Sequence, residues 1–133
     1  MARLLGIDPG LRRVGLAISD PVGIIATPVQ IIDRKENSPR EIIEELLKER
    51  EIEKIVVGYP VPLKTKANQR TRQVDQFIEE HLVGLGLPVV KFNERYSSRE
   101  AERLKRLRGG SKAGDDEAAA LILQHYLDKK RSD

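Results

Sequence analysis

Three short apolar runs, 3–8, 13–19 and 24–32, open the chain, with only "DPGLR" and "DPVG" between them. Strands joined so tightly must pair antiparallel, because a parallel pair needs a crossover of about a dozen residues. Two further apolar runs, "KIVVGYP" and "PVVKFNE", are each reached through a stretch of helical period. In the first stretch Ile42, Ile43, Leu46 and Leu47 share one face, with Ser38 placed as N-cap and Pro39 at the first helical position. In the second, about 67–83, Val74, Phe77, Ile78 and Leu82 share one face. Helical crossovers predict parallel pairing of the strands they connect. Ser97 or Ser98 caps a basic helix through about Arg108, "RGGSKAG" is a loop, and an alanine-rich helix starts at about Asp115. The predicted order is β-β-β-α-β-α-β-α-α. It describes an α/β fold with one mixed five-stranded sheet, three antiparallel strands then two parallel, flanked by helices. A length of 133 residues predicts one domain, 1–133, able to bury a core without disulfides or structural metal.

Composition removes several function classes. The chain has no cysteine, which excludes a disulfide scaffold and a zinc–thiolate site. His81 and His125 lack ligand spacing. No apolar stretch approaches the roughly 20 residues of a membrane span. The start "MARLLGIDPG" is not a secretory signal, so a cytoplasmic protein without a membrane partner is expected. "GLRRVG" lacks the Lys-Ser/Thr of a phosphate-binding loop, and neither G-x-G-x-x-G nor G-x-S-x-G occurs. The formal net charge is only +3, but the charges are segregated. Acids crowd 41–53, and bases crowd 64–72 and 95–112. Such clusters serve either as one basic face for nucleic acid or as a solvated, charge-rich surface.

Three acids stand at element ends. Asp8 closes the first strand, Glu94 closes the fifth, and Asp115 starts the last helix. If those ends share one edge of the sheet, the three carboxylates meet. Clustered carboxylates repel unless a cation lies between them, and an all-oxygen donor set favours Mg²⁺ or Mn²⁺. Ions held so can activate water and steady the leaving oxygen of a phosphodiester. Each acid also has a structural reading. Asp8 begins a "DPG" turn, Glu94 can pair with Arg95 or Arg99, and Asp115 and Asp116 suit a helix N-terminus. Only convergence separates the two readings. Asp20, before its own proline, is read as a turn residue.

"GIDPGLRRVGLAISD", "IVVGYP", "NERYSSREAE" and "DDEAAALILQHYLD" resemble, in order and spacing, the YqgF (RuvX) family, described both as Holliday junction resolvases and as pre-16S rRNA nucleases. The resemblance covers nearly the whole chain and implies an RNase H-like fold. It implies catalytic and metal-binding roles for Asp8, Glu94 and Asp115, with Mg²⁺ or Mn²⁺ as cofactor and Asp116 beside them. Two departures stand out. Asn93 replaces the first acid of the family's Asp-Glu-Arg, and the loop after "GYP" reads "VPLKTKANQR", more basic and without the family's glycine. The function implied is a divalent-metal-dependent nuclease that processes the 5′ end of pre-16S rRNA, with the ribosomal small subunit as partner. The alternatives are resolution of a four-way DNA junction and, in another class, non-catalytic nucleic-acid binding. Arg12, Arg13, Lys64, Lys66, Arg70, Arg95 and Lys112 are the expected contacts to structured RNA or branched DNA, and the protein is expected as a monomer or weak homodimer.

Overall fold

The computed structural model describes residues 2–60, 69–93 and 114–132, with side chains from 117 to 131 in the last stretch. The strands are β1 (Arg3–Pro9), β2 (Arg13–Ser19), β3 (Ala26–Asp33), β4 (Ile52–Tyr59) and β5 (Val89–Asn93). The helices are α1 (Pro39–Glu49), α2 (Gln69–His81) and α3 (Gly114–Ser132). They form one five-stranded sheet in the order β3-β2-β1-β4-β5. The β1–β2 and β2–β3 pairs are antiparallel, while β1–β4 and β4–β5 are parallel. This is the mixed sheet that the turn and crossover lengths predict. The basic helix expected through Arg108 lies outside the described residues.

Alternation along β1 sends successive side chains to opposite faces. Leu5 and Ile7, fully buried, join Val14, Leu16, Ile43, Ile55, Val57, Val74 and Phe77 in a core under α1 and α2. Leu4 faces the other way and packs with Val56, Ala119, Ile122, Leu123, Tyr126 and Phe92 under α3. Two apolar layers thus cover the central strands, which explains why "KIVVG" reads as continuously hydrophobic.

The third strand departs from its apolar appearance. It lies at the sheet's edge, and only Ile32 in it is fully buried. It also starts later than the apolar run that begins at Ile24. Asp20 explains this: its Oδ1 accepts from the main-chain N–H of Ile24 (2.7 Å) and Ile25 (2.9 Å), holding both residues in a turn. Those bonds, above all that from Ile25, keep the Asp20 carboxyl below its ordinary range. Asp20 is therefore the turn residue expected of it. Gln124 of α3 then binds both sides of this junction, accepting from Ala26 N–H and donating to the Ile24 carbonyl. Ser38 does precede α1 with extended backbone, but its side chain makes no capping hydrogen bond. Pro39 at the helix start, buried, begins the helix without it.

One polar network ties β4, β5 and α2 together. The Tyr59 hydroxyl donates to Asp75 Oδ2 (3.0 Å), and Lys91 Nζ stands 2.8 Å from Asp75 Oδ1 and 4.9 Å over the Tyr59 ring. Burial, then the Asp75 carboxylate, pushes the Tyr59 hydroxyl up. The Lys91 hydrogen bond pulls Asp75 below its ordinary 3.8 and raises Lys91 above its ordinary 10.5. The Asp75 contribution is therefore present in full above 3.8 and is lost as pH falls through the lower folded value. Asp75→Asn is expected to lower stability by about 1 kcal/mol at neutral pH, the upper end for a half-exposed pair with one hydrogen bond attached. Urea titrations of both proteins at pH 7 and again near pH 3 check this. The gap should narrow at the acidic end, and a gap of constant size would show that the charge contributes nothing.

Candidate active site

The three parallel strands leave the sheet along one edge. Ile7 of β1 is in register with Val57, Gly58 of β4 with Phe92, and Tyr59 with Asn93. Asp8 is the last residue but one of β1, is partly buried, and sits opposite Gly15 of β2. Two positions after Gly6 and four after Leu4, it shares their face of the sheet. That face is the one α3 covers.

Gly6 sets how close α3 comes. A Cβ at Gly6 would stand 2.8 Å from Leu123 Cβ and 3.1 Å from the Ala119 carbonyl oxygen. The absence of a side chain lets the helix backbone rest almost on β1. Further along the helix, the Tyr126 hydroxyl accepts from Lys54 at 3.3 Å, and Lys54 pairs with Leu4 at the start of β1. The helix therefore runs antiparallel to β1, and its first turn points to the edge where β1 ends. Asp115 precedes Ala119 by four residues, about 6 Å of helix, and Asp8 follows Gly6 by about 7 Å of strand. The main chain of Asp115 thus comes to the edge that carries Asp8. The side chains of Asp115 and Asp116 lie outside the described residues.

Asn93 ends β5 on the same edge, beside Tyr59. Val90 and Phe92 pack under α3, so the even-numbered positions of β5 face the side that Asp8 faces. Glu94 and Arg95 lie outside the described residues, as do Lys64, Lys66 and Lys112. Among the described residues no three His, Cys, Asp or Glu side chains group as a metal-holding cluster.

The turn after Asp8 is built tightly. A Cβ on Gly10 would collide with the Arg13 carbonyl oxygen, so the turn needs glycine there. Arg34, just past β3, braces it from outside: its Nη1 donates to the Gly10 carbonyl (2.9 Å), and its own N–H donates to the Arg12 carbonyl (2.8 Å). Arg12 and Arg13 are exposed on this turn. Arg70 lies in the first turn of α2, one residue before Thr71, whose side chain bears on the Tyr59 hydroxyl at the exit of β4. The structure thus brings Asp8, Arg12, Arg13, Arg70 and the start of α3 to one edge. Asp20 is at the opposite end of the sheet, where β2 leaves it.

Sequence reasoning passed over Gly6, Arg34 and Gln124. Gly6 offered a signal, an unexplained glycine inside an apolar strand. Arg34 and Gln124 offered none, because each acts on residues far away in sequence.

A family model described as RuvX, Holliday junction resolvase, matches residues 2–129. A protein of Caldicellulosiruptor saccharolyticus named "Putative pre-16S rRNA nuclease" is 36% identical over 133 residues, covering 95% of this chain and 96% of that one. One of Sulfurihydrogenibium with the same name is 35% identical, covering 97% of this chain and 92% of that one. Among solved structures, Thermus thermophilus RuvC in complex with a Holliday junction substrate superposes with a TM-score of 0.59 at 18% identity, covering 98% of this chain and 96% of that one. The fowlpox virus Holliday junction resolvase does so with 0.56 at 13% identity, covering 96% and 99%. These two likenesses establish the RNase H-like fold.

Proposed function

We propose that this chain, which belongs to the RuvX family, is a divalent-metal-dependent nuclease that trims the precursor of 16S rRNA at its 5′ end. The observation that carries the reading is the common edge: Asp8 and the start of α3 come together at the exits of β1, β4 and β5. The metal ligands proposed are Asp8, Glu94 and Asp115. Their donors are all carboxylate oxygens, and no sulfur or imidazole competes among them, a set suited to Mg²⁺ or Mn²⁺. A bound ion of this kind would supply Lewis-acid polarisation of the phosphate and lower the pKa of water.

The chain's own residues have separate tasks. Asp8 presents its carboxylate from the end of β1, in register with Gly15 of β2 and one residue after the last pairing with β4, Ile7 with Val57. Arg12 and Arg13, on the turn that follows Asp8, attract the phosphate backbone, together with Arg70 at the start of α2 and with Lys64, Lys66, Arg95 and Lys112. The start of α3 adds the positive end of the helix dipole, which favours carboxylates and phosphate alike.

Both substrate readings belong to one chemistry. The relatives' name favours precursor rRNA, and the family description favours the DNA junction as the alternative. We place RNA first because one small domain carries one such edge, whereas resolving a junction needs two coordinated cuts. The small ribosomal subunit is the partner this implies, and the protein would act in the cytoplasm. Purified protein should cleave precursor rRNA in Mg²⁺ or Mn²⁺, lose all cleavage in EDTA, and regain it on adding Mn²⁺. Symmetric cuts in a four-way DNA junction with RNA untouched would reverse the order. Binding without cleavage of either substrate would point to the non-catalytic class.

A further inference from the structure

A cleft of about 410 Å³ opens on the other side of the β1–β2 turn, between that turn and α2. Leu11, Arg12, Arg34 and Lys35 line one wall, and Gln73 and Gln76 line the other. Of its lining residues only Arg12 and Arg34 belong to the site described above. Its floor is the Phe77 ring, only 2% exposed, and the Arg34 guanidinium lies over that ring at 5.5 Å. With Nη1 held by the Gly10 carbonyl, Arg34 is fixed in place and fixes the turn. Three cations thus gather on the wall nearest Asp8. Among the described lining residues the one acid is Glu80, near the end of α2, where its carboxylate accepts from Gln76 Nε2 at 2.8 Å.

We propose that this cleft is a nucleotide subsite, holding one unit of a single substrate strand that runs on from the phosphate cleaved beside Asp8. The inference rests on the nuclease reading and adds where the strand goes next. Arg12 and Lys35 meet the phosphate, and Arg34 is a positioning residue that holds the turn between the two sites. Gln73 and Gln76 offer amide donors and acceptors to a sugar or a base edge. Leu11, 68% exposed at the tip of the turn, presents an apolar surface against which a base can lie. A volume of about 410 Å³ is of the order that one nucleotide fills.

The test measures binding of labelled single-stranded RNA oligonucleotides of graded length, in EDTA, by fluorescence anisotropy across a salt series. Lys35→Glu should weaken binding about tenfold at low salt and flatten the salt dependence by about 0.7 in log–log slope, the value of one lost phosphate contact. Gln73→Glu, on the opposite wall, should weaken it in the same direction. Both losses should appear only with oligonucleotides long enough to span from Asp8 to the cleft. Lys48→Glu, exposed at the far end of α1, controls for overall charge. In cleavage assays Lys35→Glu should raise KM by a larger factor than it lowers kcat. Parental affinity and slope in Lys35→Glu would overturn the subsite, and so would equal losses in Lys35→Glu and Lys48→Glu. Failure of the nuclease reading shows separately, as absence of metal-dependent cleavage by the unaltered protein, while the binding series still judges the cleft.

Discussion

Asp8→Asn is expected to reduce cleavage by about 10³-fold or more, about 4 kcal/mol of barrier, while the protein stays folded. The change keeps the shape of the side chain and removes its charge. A neutral amide is a far poorer donor to Mg²⁺ or Mn²⁺, and with Glu94 and Asp115 left alone the proposed ion site loses about a third of its negative charge. The backbone has little reason to respond. Asp8 is held in the ladder with Gly15, whatever its side chain does, and the neighbouring Leu5 and Ile7 are fully buried. Single-turnover cleavage with Mg²⁺ and Mn²⁺, beside a thermal melt, reads both quantities. Glu94→Gln should behave in the same way, and Asp20→Asn, at the opposite end of the sheet, should keep cleaving. Full activity in both Asp8→Asn and Glu94→Gln would sink the metal-site reading.

Gly6→Ala should damage both stability and activity, although Gly6 touches no substrate. Its new methyl would stand 2.8 Å from Leu123 Cβ, and neither partner is the loose end of a flexible chain. Either α3 lifts off β1 or the strand bends. Overpacking of this kind costs about 1–3 kcal/mol, a fall of roughly 5–10 °C in Tm for a chain of this size. Lifting α3 also moves its first turn, and with it Asp115, away from Asp8. Cleavage should then fall more than the melt alone explains, because a displacement of about 1 Å in a catalytic group can cost about 100-fold. Leu123→Gly in the Gly6→Ala background removes the Cβ that the methyl meets, so the double variant should lose less stability than the two single losses summed. Strictly additive losses with unchanged cleavage would show that the close approach does not position the site.

The expected and observed folds agree where the determining physics is local. "DPGLR" leaves too few residues for anything but an antiparallel return, and the stretches with Ile43 and Leu46 or Val74 and Phe77 bury helical faces. The third strand shows the limit. Its apolar residues suggest burial, but it is placed at the edge, where Val29 is exposed, and Asp20 removes Ile24 and Ile25 from it altogether. Hydrophobicity along a chain reports a strand, not its rank in the sheet.

The site divides along the same line. From the sequence alone came the candidate acids and their expected position at element ends, since a carboxylate between an apolar run and a turn is visible in a string of letters. Order and spacing of the motifs also sufficed to recognise the family. Tertiary structure decided which ends meet. Asp8 and the Asp20 that resembles it are separated only by strand direction: β1 runs to the edge where α3 begins, and β2 runs back from it. The depth of that meeting depends on Gly6, and the shape of the turn beside it on Arg34 and the Phe77 ring beneath. These are contacts between residues far apart in the chain, chosen by packing, and no local pattern of residues encodes them.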